Sequence, residues 1–321
     1  MLSSKLKKKI KKLLYLIFGQ NFFINYKIRK LNKNEIIILN LHRVNDQKNS
    51  SYTPLKEEIF DYLIKFCVEN FEITTFANAR NVSVQKKPLL IFSFDDGYED
   101  FYKNVMPILK KYNIKVNLNI IPNCIETGLA PINILFQDFI YQAPLNEIRK
   151  IYLGNMQFNF KSDLILFGNK ISKFIKDKSY QEQIYISKEI EEKYFSRFKF
   201  YKTKIMSLNQ LKECSLSHEI GIHSYYHSNM FYETDEFFIY DTNKCIDWFN
   251  KNLNFIPKIY AFPNNSYKES QINILKKMGF EYILLVNDNL SKIENKIYNR
   301  FNFHADSNIE AKCKAVGYRL R

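Results

Sequence analysis

Apolar positions recur along the chain with two different periods. Residues 35–41 (EIIILNL), 89–92 (LLIF), 115–121, 218–222, 258–262, 281–286 and 297–303 form short apolar runs of strand length. Between them, residues 55–70, 99–112, 208–214, 235–252 and 267–278 follow helical spacing, the last stopped by Gly279, a good helix C-cap. Residues 71–75 read as a further short strand and 77–87 as connecting chain. Strand and helix alternate, so the pattern predicts an α/β protein of about seven strands. Residues 131–206 break the alternation: they are mainly helical in pattern, rich in lysine and aromatics, and carry no site motif. An insertion of that size is a candidate lid or substrate wall, with plain scaffold as the competing reading.

The polar residues of interest all fall just after strands. Residues 89–92 run into Ser93-Phe94-Asp95-Asp96-Gly97, which puts two adjacent carboxylates at a strand end and a turn residue behind them. Neighbouring carboxylates repel and desolvate one another, so such a pair calls for a cation, a hydrogen-bonded partner or a proton to carry; a simple capping turn is the alternative. His223 and His227 sit four apart after the strand at 218–222, among only five histidines in the chain. A carboxylate with two histidines supplies three ligands of the kind that bind Zn²⁺ and leave a fourth position open. His42 follows the first strand and Asn264 the strand at 258–262. Repeated βα units with His42, Asp95, Asp96, His223, His227 and Asn264 at strand ends describe a (β/α) barrel with its site on the C-terminal rim.

On these residues the chain resembles the polysaccharide deacetylases, the NodB-homology family of carbohydrate esterase family 4. SFDDGYEDFYKNVMPILKKYNIKVNLNIIP looks like the family's first motif with its helix and strand, HEIGIHSYYHSNM like its His-Ser-x-x-His motif, and KIYAFPNNSY like its proline-containing third motif. The resemblance covers roughly residues 35–303 and implies a distorted, often incomplete barrel. It also implies that a divalent metal, zinc by default, is held by Asp96, His223 and His227, with Asp95 as catalytic base. A backbone N–H near Asn264 would help hold the oxyanion. LHRV matches the branch resembling poly-N-acetylglucosamine deacetylases, where a histidine after the first strand is the general acid; this implicates His42, with His304 as the alternative. Many members carry an arginine before the third-motif proline, whereas Ala261 and Phe262 precede Pro263 here. Arg300 is the substitute candidate for orienting the base, against the reading of an ordinary surface or phosphate-contacting arginine.

Composition refines this picture at the N-terminus. The formal charge is +15, yet ten basic residues precede the first acid, Glu35. Leu2, Leu6, Ile10, Leu13, Leu14 and Ile17 lie at helical spacing among those lysines, so residues 1–34 are expected to form a basic amphipathic helix, either packed on the domain of residues 35–321 or laid on an anionic membrane. The apolar run from Leu13 to Phe18 is too short for a secretion signal or a membrane span. Five scattered cysteines without a CxxC pair point to reduced thiols in a cytoplasmic protein, and the membrane reading of the basic helix would then place it peripherally on the inner membrane. No nucleic-acid-binding motif accompanies the basic residues, which argues against a nucleic-acid partner. The expected function is metal-dependent removal of an N-acetyl group from an amino sugar of a glycan, glycolipid or glycan precursor. The alternatives are a deformylase or O-deacetylase on a lipid-linked sugar, and a non-catalytic glycan-binding or membrane-associated scaffold.

Overall fold

A computed structural model describes residues 4–32, 34–80 and 86–318, with side chains from residue 9 onward in the first helix. Eleven strands occur among them: β1 Glu35–Leu41, β2 Glu72–Ile73, β3 Leu89–Phe94, β4 Asn117–Ile120, β5 Lys150–Leu153, β6 Met156–Asn159, β7 Glu219–Ile222, β8 Ile259–Ala261, β9 Tyr282–Val286, β10 Ser291–Lys292 and β11 Ile297–Asn302. Seven of them, β1, β3, β4, β7, β8, β9 and β11, pair in parallel around a barrel. The seam is continuous, because β1 pairs with β3 from Ile36↔Leu89 to Leu41↔Phe94 and with β11 on its other side. Closure of this kind leaves no free sheet edge in the ring. The seven-stranded barrel expected from the strand–helix alternation is therefore present, with β2 added beside β3 and β10 antiparallel to β1.

Side chains alternate between two environments. On β1, Ile37, Leu39 and Leu41 join the large cluster beneath the helices, while Ile36 and Ile38 join a smaller cluster with Leu89, Ile91, Ile259, Ala261, Tyr282, Leu284 and Tyr298. Since strand residues two apart share a face, this smaller cluster fills the barrel interior towards the N-terminal ends of the strands. On the same face, one step further along each strand, come Asn40, Ser93, Asn119, Arg300 and Asn302. The interior is thus an apolar plug beneath a polar layer. Gly221 belongs to that layer: a Cβ there would lie 2.4 Å from Asn119 Oδ1 and 2.9 Å from Ile259 Cβ.

The N-terminal segment differs from the single expected helix. It forms two helices, Ser4–Phe18 and Asn21–Arg29, broken at Gly19, where a Cβ would meet Ile309 at 2.6 Å. Tyr15 and Ile24 are buried and Phe18 stacks on Tyr318, so one face is docked on the domain. Ile10, Leu13, Leu16, Ile17 and Phe22 stay exposed. Of the stripe read from sequence, Leu2 and the side chain of Leu6 lie outside the described residues, Leu14 is half-buried, and Ile10, Leu13 and Ile17 face outward. Among the described residues no helix is long and apolar enough to cross a membrane. All five cysteines are buried and unpaired.

Residues 131–206 are mainly helical, with the β5–β6 hairpin as an unexpected addition. Phe136, Phe139, Ile151, Phe158, Ile171 and Ile190 belong to a separate apolar cluster there. Asp138, buried at its base, accepts from Thr203 N at 2.7 Å and Thr203 Oγ1 at 3.0 Å, and Thr203 in turn accepts from Arg43 at 3.0 Å. Burial pushes the Asp138 carboxyl up to about 6 against these bonds.

The close packing at Gly221 yields a stability prediction. Gly221→Ala forces Asn119 or β8 to move, and overpacking of this sort costs about 1–3 kcal/mol. The urea midpoint should fall with an unchanged slope; an unchanged midpoint would mean that the barrel interior has slack at this level.

Candidate active site

Asp95 and Asp96 continue β3 past its last residue, at the C-terminal mouth of the barrel. Asp95 remains on the interior face and meets Arg300, which is fully buried: Arg300 Nη1 donates to Asp95 Oδ1 at 2.6 Å, to Asn40 Oδ1 at 2.8 Å and to Ser93 Oγ at 3.0 Å. Asn119 Nδ2 donates to the same Asp95 oxygen at 2.7 Å. Both bonds fall on Oδ1. Among the described residues no hydrogen bond reaches Oδ2, which lies 4.0 Å from His223 Nε2. Burial alone would push the Asp95 carboxyl up, but the Arg300 guanidinium holds it well below the usual carboxylate range.

Asp96 turns away from Asp95 through a left-handed backbone, φ 76°. Its Oδ1 is buried without a hydrogen bond, 3.3 Å from His223 Nε2 and 3.5 Å from His227 Nε2. His223 Nδ1 faces the Ala261 carbonyl at 2.9 Å; as donor to that oxygen it leaves Nε2 with its lone pair toward Asp96. One ligand atom from each of Asp96, His223 and His227 lies within 4.8 Å of the others. An orphaned carboxylate oxygen facing two imidazole nitrogens, one oriented through a carbonyl, suits a divalent first-row ion. His227 is also left-handed, at φ 59°, as is Ser224, at φ 60°. For such residues that conformation is strained and persists where surrounding contacts impose it.

Asp241 imposes part of it. This buried carboxylate accepts from Ser224 Oγ at 3.0 Å and from the Tyr225 and Tyr226 N–H groups at 3.0 and 3.3 Å, pinning the loop between the two histidines. Burial raises its pKa to about 6 in spite of those bonds. Asp241 did not stand out in the sequence, although it shares the buried face of its helix with Phe238, Cys245 and Trp248, an acid in an apolar stripe. Asn119, equally missed, carries the sign of alternation: with Asn117 it is one of two polar residues that alternate with Leu118 and Ile120 in β4.

The remaining candidates line one cavity of about 560 Å³ with these residues: His42, Asn264, Arg300 and His304 all contribute. His42 is lowered by burial, with Asp96 and Asp95 opposing. His304 is 45% exposed at its side chain and 3.4 Å from Asp306, so it stands at the rim. Asn264 occupies a tight turn, Pro263–Asn265, with φ 55°. The N–H groups of Asn265 and Ser266 are taken by the carbonyls of Phe262 and Pro263, and among the described residues none takes that of Asn264. The opposite wall comes from Asn133, Gln137, Asn169, Ser172 and Lys176 of segment 131–206.

Solved structures of similar fold include Streptococcus pyogenes deacetylase PplD in complex with acetate, with 15% identity, TM-score 0.59, and 89% of this chain and 99% of that one covered. IcaB from Ammonifex degensii follows with 14% identity, TM-score 0.58 and coverage of 88% and 97%. A de-N-acetylase from Aggregatibacter actinomycetemcomitans gives 13%, 0.55, 87% and 99%. At such identities these likenesses establish the shared fold. No curated protein matches the chain in sequence. The sequence model described as Polysaccharide deacetylase matches residues 71–157 and 170–283, well over half of the chain and including Asp95, Asp96, His223, His227 and the third-motif turn. The chain belongs to the polysaccharide deacetylase family, hydrolases that act on amide bonds.

Proposed function

We propose that the protein removes the N-acetyl group from an amino sugar in a glycan, glycolipid or glycan precursor, with a divalent metal, zinc by default, at Asp96, His223 and His227. The observation that carries this reading is the division of labour between the paired carboxylates. One has both hydrogen bonds on a single oxygen, and the other turns an unpartnered oxygen to two histidines.

When bound, the ion would acidify a water and draw charge from the scissile carbonyl. Asp95 Oδ2 accepts the proton that this water gives up, while Arg300 and Asn119 fix the carboxylate through Oδ1. The depressed pKa of Asp95 keeps it ionised in the free site, ready to accept. The uncommitted Asn264 N–H donates to the oxyanion, a contribution of about 3–4 kcal/mol for one donor where measured. His42, neutral in the free site because of its burial, receives the proton that Asp95 took from the water and delivers it to the departing amine. The exposed apolar residues of the first two helices, beside Lys9 and Lys12, support peripheral attachment to an anionic membrane, the cytoplasmic leaflet if the thiols stay reduced.

Acetate release from a panel of acetylated and lipid-linked amino sugars, with and without chelator, tests the activity; absence of chelator sensitivity would remove the metal from the proposal. Independently of activity, the His223→Ala/His227→Ala double variant should contain no stoichiometric zinc, and unchanged metal content would refute the ligand set.

Asp95→Asn should cut turnover by about 10²-fold or more, the common scale for losing a general base. It should also lower stability, because Arg300 is left buried without a counter-charge. Near-normal turnover would reduce Asp95 to a structural partner of Arg300.

His42→Ala should lose more rate on amides than on activated esters, whose leaving groups need little protonation. If His304→Ala shows this selectivity instead, the acid comes from the rim.

Full-length protein should float with anionic vesicles at low salt and less at high salt. Because Tyr15 and Ile24 belong to the core, the control is Leu13→Glu/Leu16→Glu/Ile17→Glu rather than a truncation. Equal flotation of that variant would dismiss attachment through this face.

A further inference from the structure

The wall facing the paired carboxylates is built from two helices, Ile132–Gln142 and Leu164–Lys176, whose other faces are apolar. Asn169, Ser172 and Lys176 lie three and four apart on the second helix and reach the same cavity. The wall is tied together, since Asn133 donates to Ser172 at 3.1 Å and Gln137 to Asn169 at 2.9 Å. Gly168 lets the second helix close on the barrel loop, where a Cβ would clash with Ser51 Cβ at 2.6 Å. At the helix end, the Lys176 carbonyl accepts from Asn229 at 2.7 Å. That contact fixes the backbone from which the lysine side chain extends.

Lys176 lines both the 560 Å³ cavity and an adjoining groove of about 400 Å³ flanked by Phe231, Tyr232 and Tyr267. Among the described residues it belongs to no salt bridge, although the neighbouring Lys173 pairs with Asp177. Burial disfavours its charge, which Asp96, across the same cavity, favours. Arg300 is already neutralised by Asp95. A divalent ion at the histidines would outweigh Asp96, leaving Lys176 as part of a positive excess at the junction of cavity and groove. A half-buried ammonium in such a place is best compensated by an anion that arrives with the substrate.

We infer that Lys176 is a specificity residue that binds an oxyanion, a phosphate ester or a carboxylate, carried on the sugar chain next to the acetamide being cleaved. The orientation of that chain rests on the deacetylase reading, whereas the anion site itself does not. Neutral sugar units would contact the amide and hydroxyl groups of Asn133, Asn169 and Ser172, and the charged unit would lie across the junction toward the groove.

The test uses full-length protein and three N-acetylglucosamine trimers: neutral, phosphorylated at one unit, and with one unit replaced by a uronate. At least one charged trimer should show a kcat/KM about tenfold or more above the neutral one, in line with a hydrogen bond to a charged group, and the preference should weaken with salt. The better of the two charged trimers distinguishes phosphate from carboxylate. Lys176→Gln should bring the three values together, and Lys176→Arg should keep most of the preference. Preference retained in Lys176→Gln, or absent from the unaltered protein, overturns the inference. Calorimetric binding of glucosamine 6-phosphate, glucosamine and free inorganic phosphate to the same variants gives a readout that needs no turnover. Tighter binding of the sugar phosphate, lost in Lys176→Gln, upholds the anion site even if no trimer releases acetate, a result that would instead reject the deacetylase reading. Equal binding of sugar phosphate and free phosphate would show an unspecific anion site and overturn the assignment to a substrate substituent.

Discussion

A guanidinium with no access to solvent lies inside the barrel, and the architecture around it follows from keeping it charged. Arg300 is held through one nitrogen by Asp95 and by two uncharged oxygens, Asn40 Oδ1 on β1 and Ser93 Oγ on β3. Breaking such a buried pair from one side leaves an uncompensated charge and costs about 3–5 kcal/mol. The polar layer of Asn40, Ser93, Asn119 and Asn302 is consequently as much a requirement of the fold as of the chemistry. It supplies the hydrogen bonds that make the ion pair tolerable and immobilises one oxygen of Asp95. The apolar plug beneath it seals the other end of the interior from water.

Much of this was legible in sequence because it depends on local order. Asp95, Asp96, His223 and His227 were marked by their type and by following strands, and the alternation of strands and helices on either side of residues 131–206 led directly to the barrel. His42, Asn264, Arg300 and His304, gathered from distant parts of the chain, do share one cavity. What escaped was what depends on a partner far away. Asp241 organises the histidine loop from a helix that reads as ordinary amphipathic chain, and Asn119 looks like one more strand residue until Asp95 is set beside it. The wall of segment 131–206 was suspected, but its polar row could not be separated from its apolar cluster without knowing which helix faces meet. The N-terminal segment shows the same limit: periodicity described one stripe, and docking consumed a different one, centred on Tyr15 and Ile24.

The cluster of Asp96, His223 and His227 also shows how a rigid scaffold holds awkward backbone. Asp96 and His227 both adopt positive φ, a conformation that costs side-chain-bearing residues about 1–3 kcal/mol where it is strained. Strands β3 and β7 end immediately before these turns, and the bonds of Asp241 and of the Ala261 carbonyl close around the second of them. The stability invested in the barrel is thus partly spent on presenting side chains at angles that a relaxed chain would avoid.

The seam at β1 has a consequence for how the molecule comes into being. As the chain is synthesised, β1 and β3 emerge early and can pair, but the other flank of β1 must wait for β11, and Asn40 meets Asn302 across 262 positions of sequence. Until then one side of a strongly apolar strand offers unpaired backbone groups, the geometry that invites association with other chains. Such long-range closure slows folding. Arg300 arrives on that last strand, so Asp95 acquires its counter-charge in the same event that completes the ring.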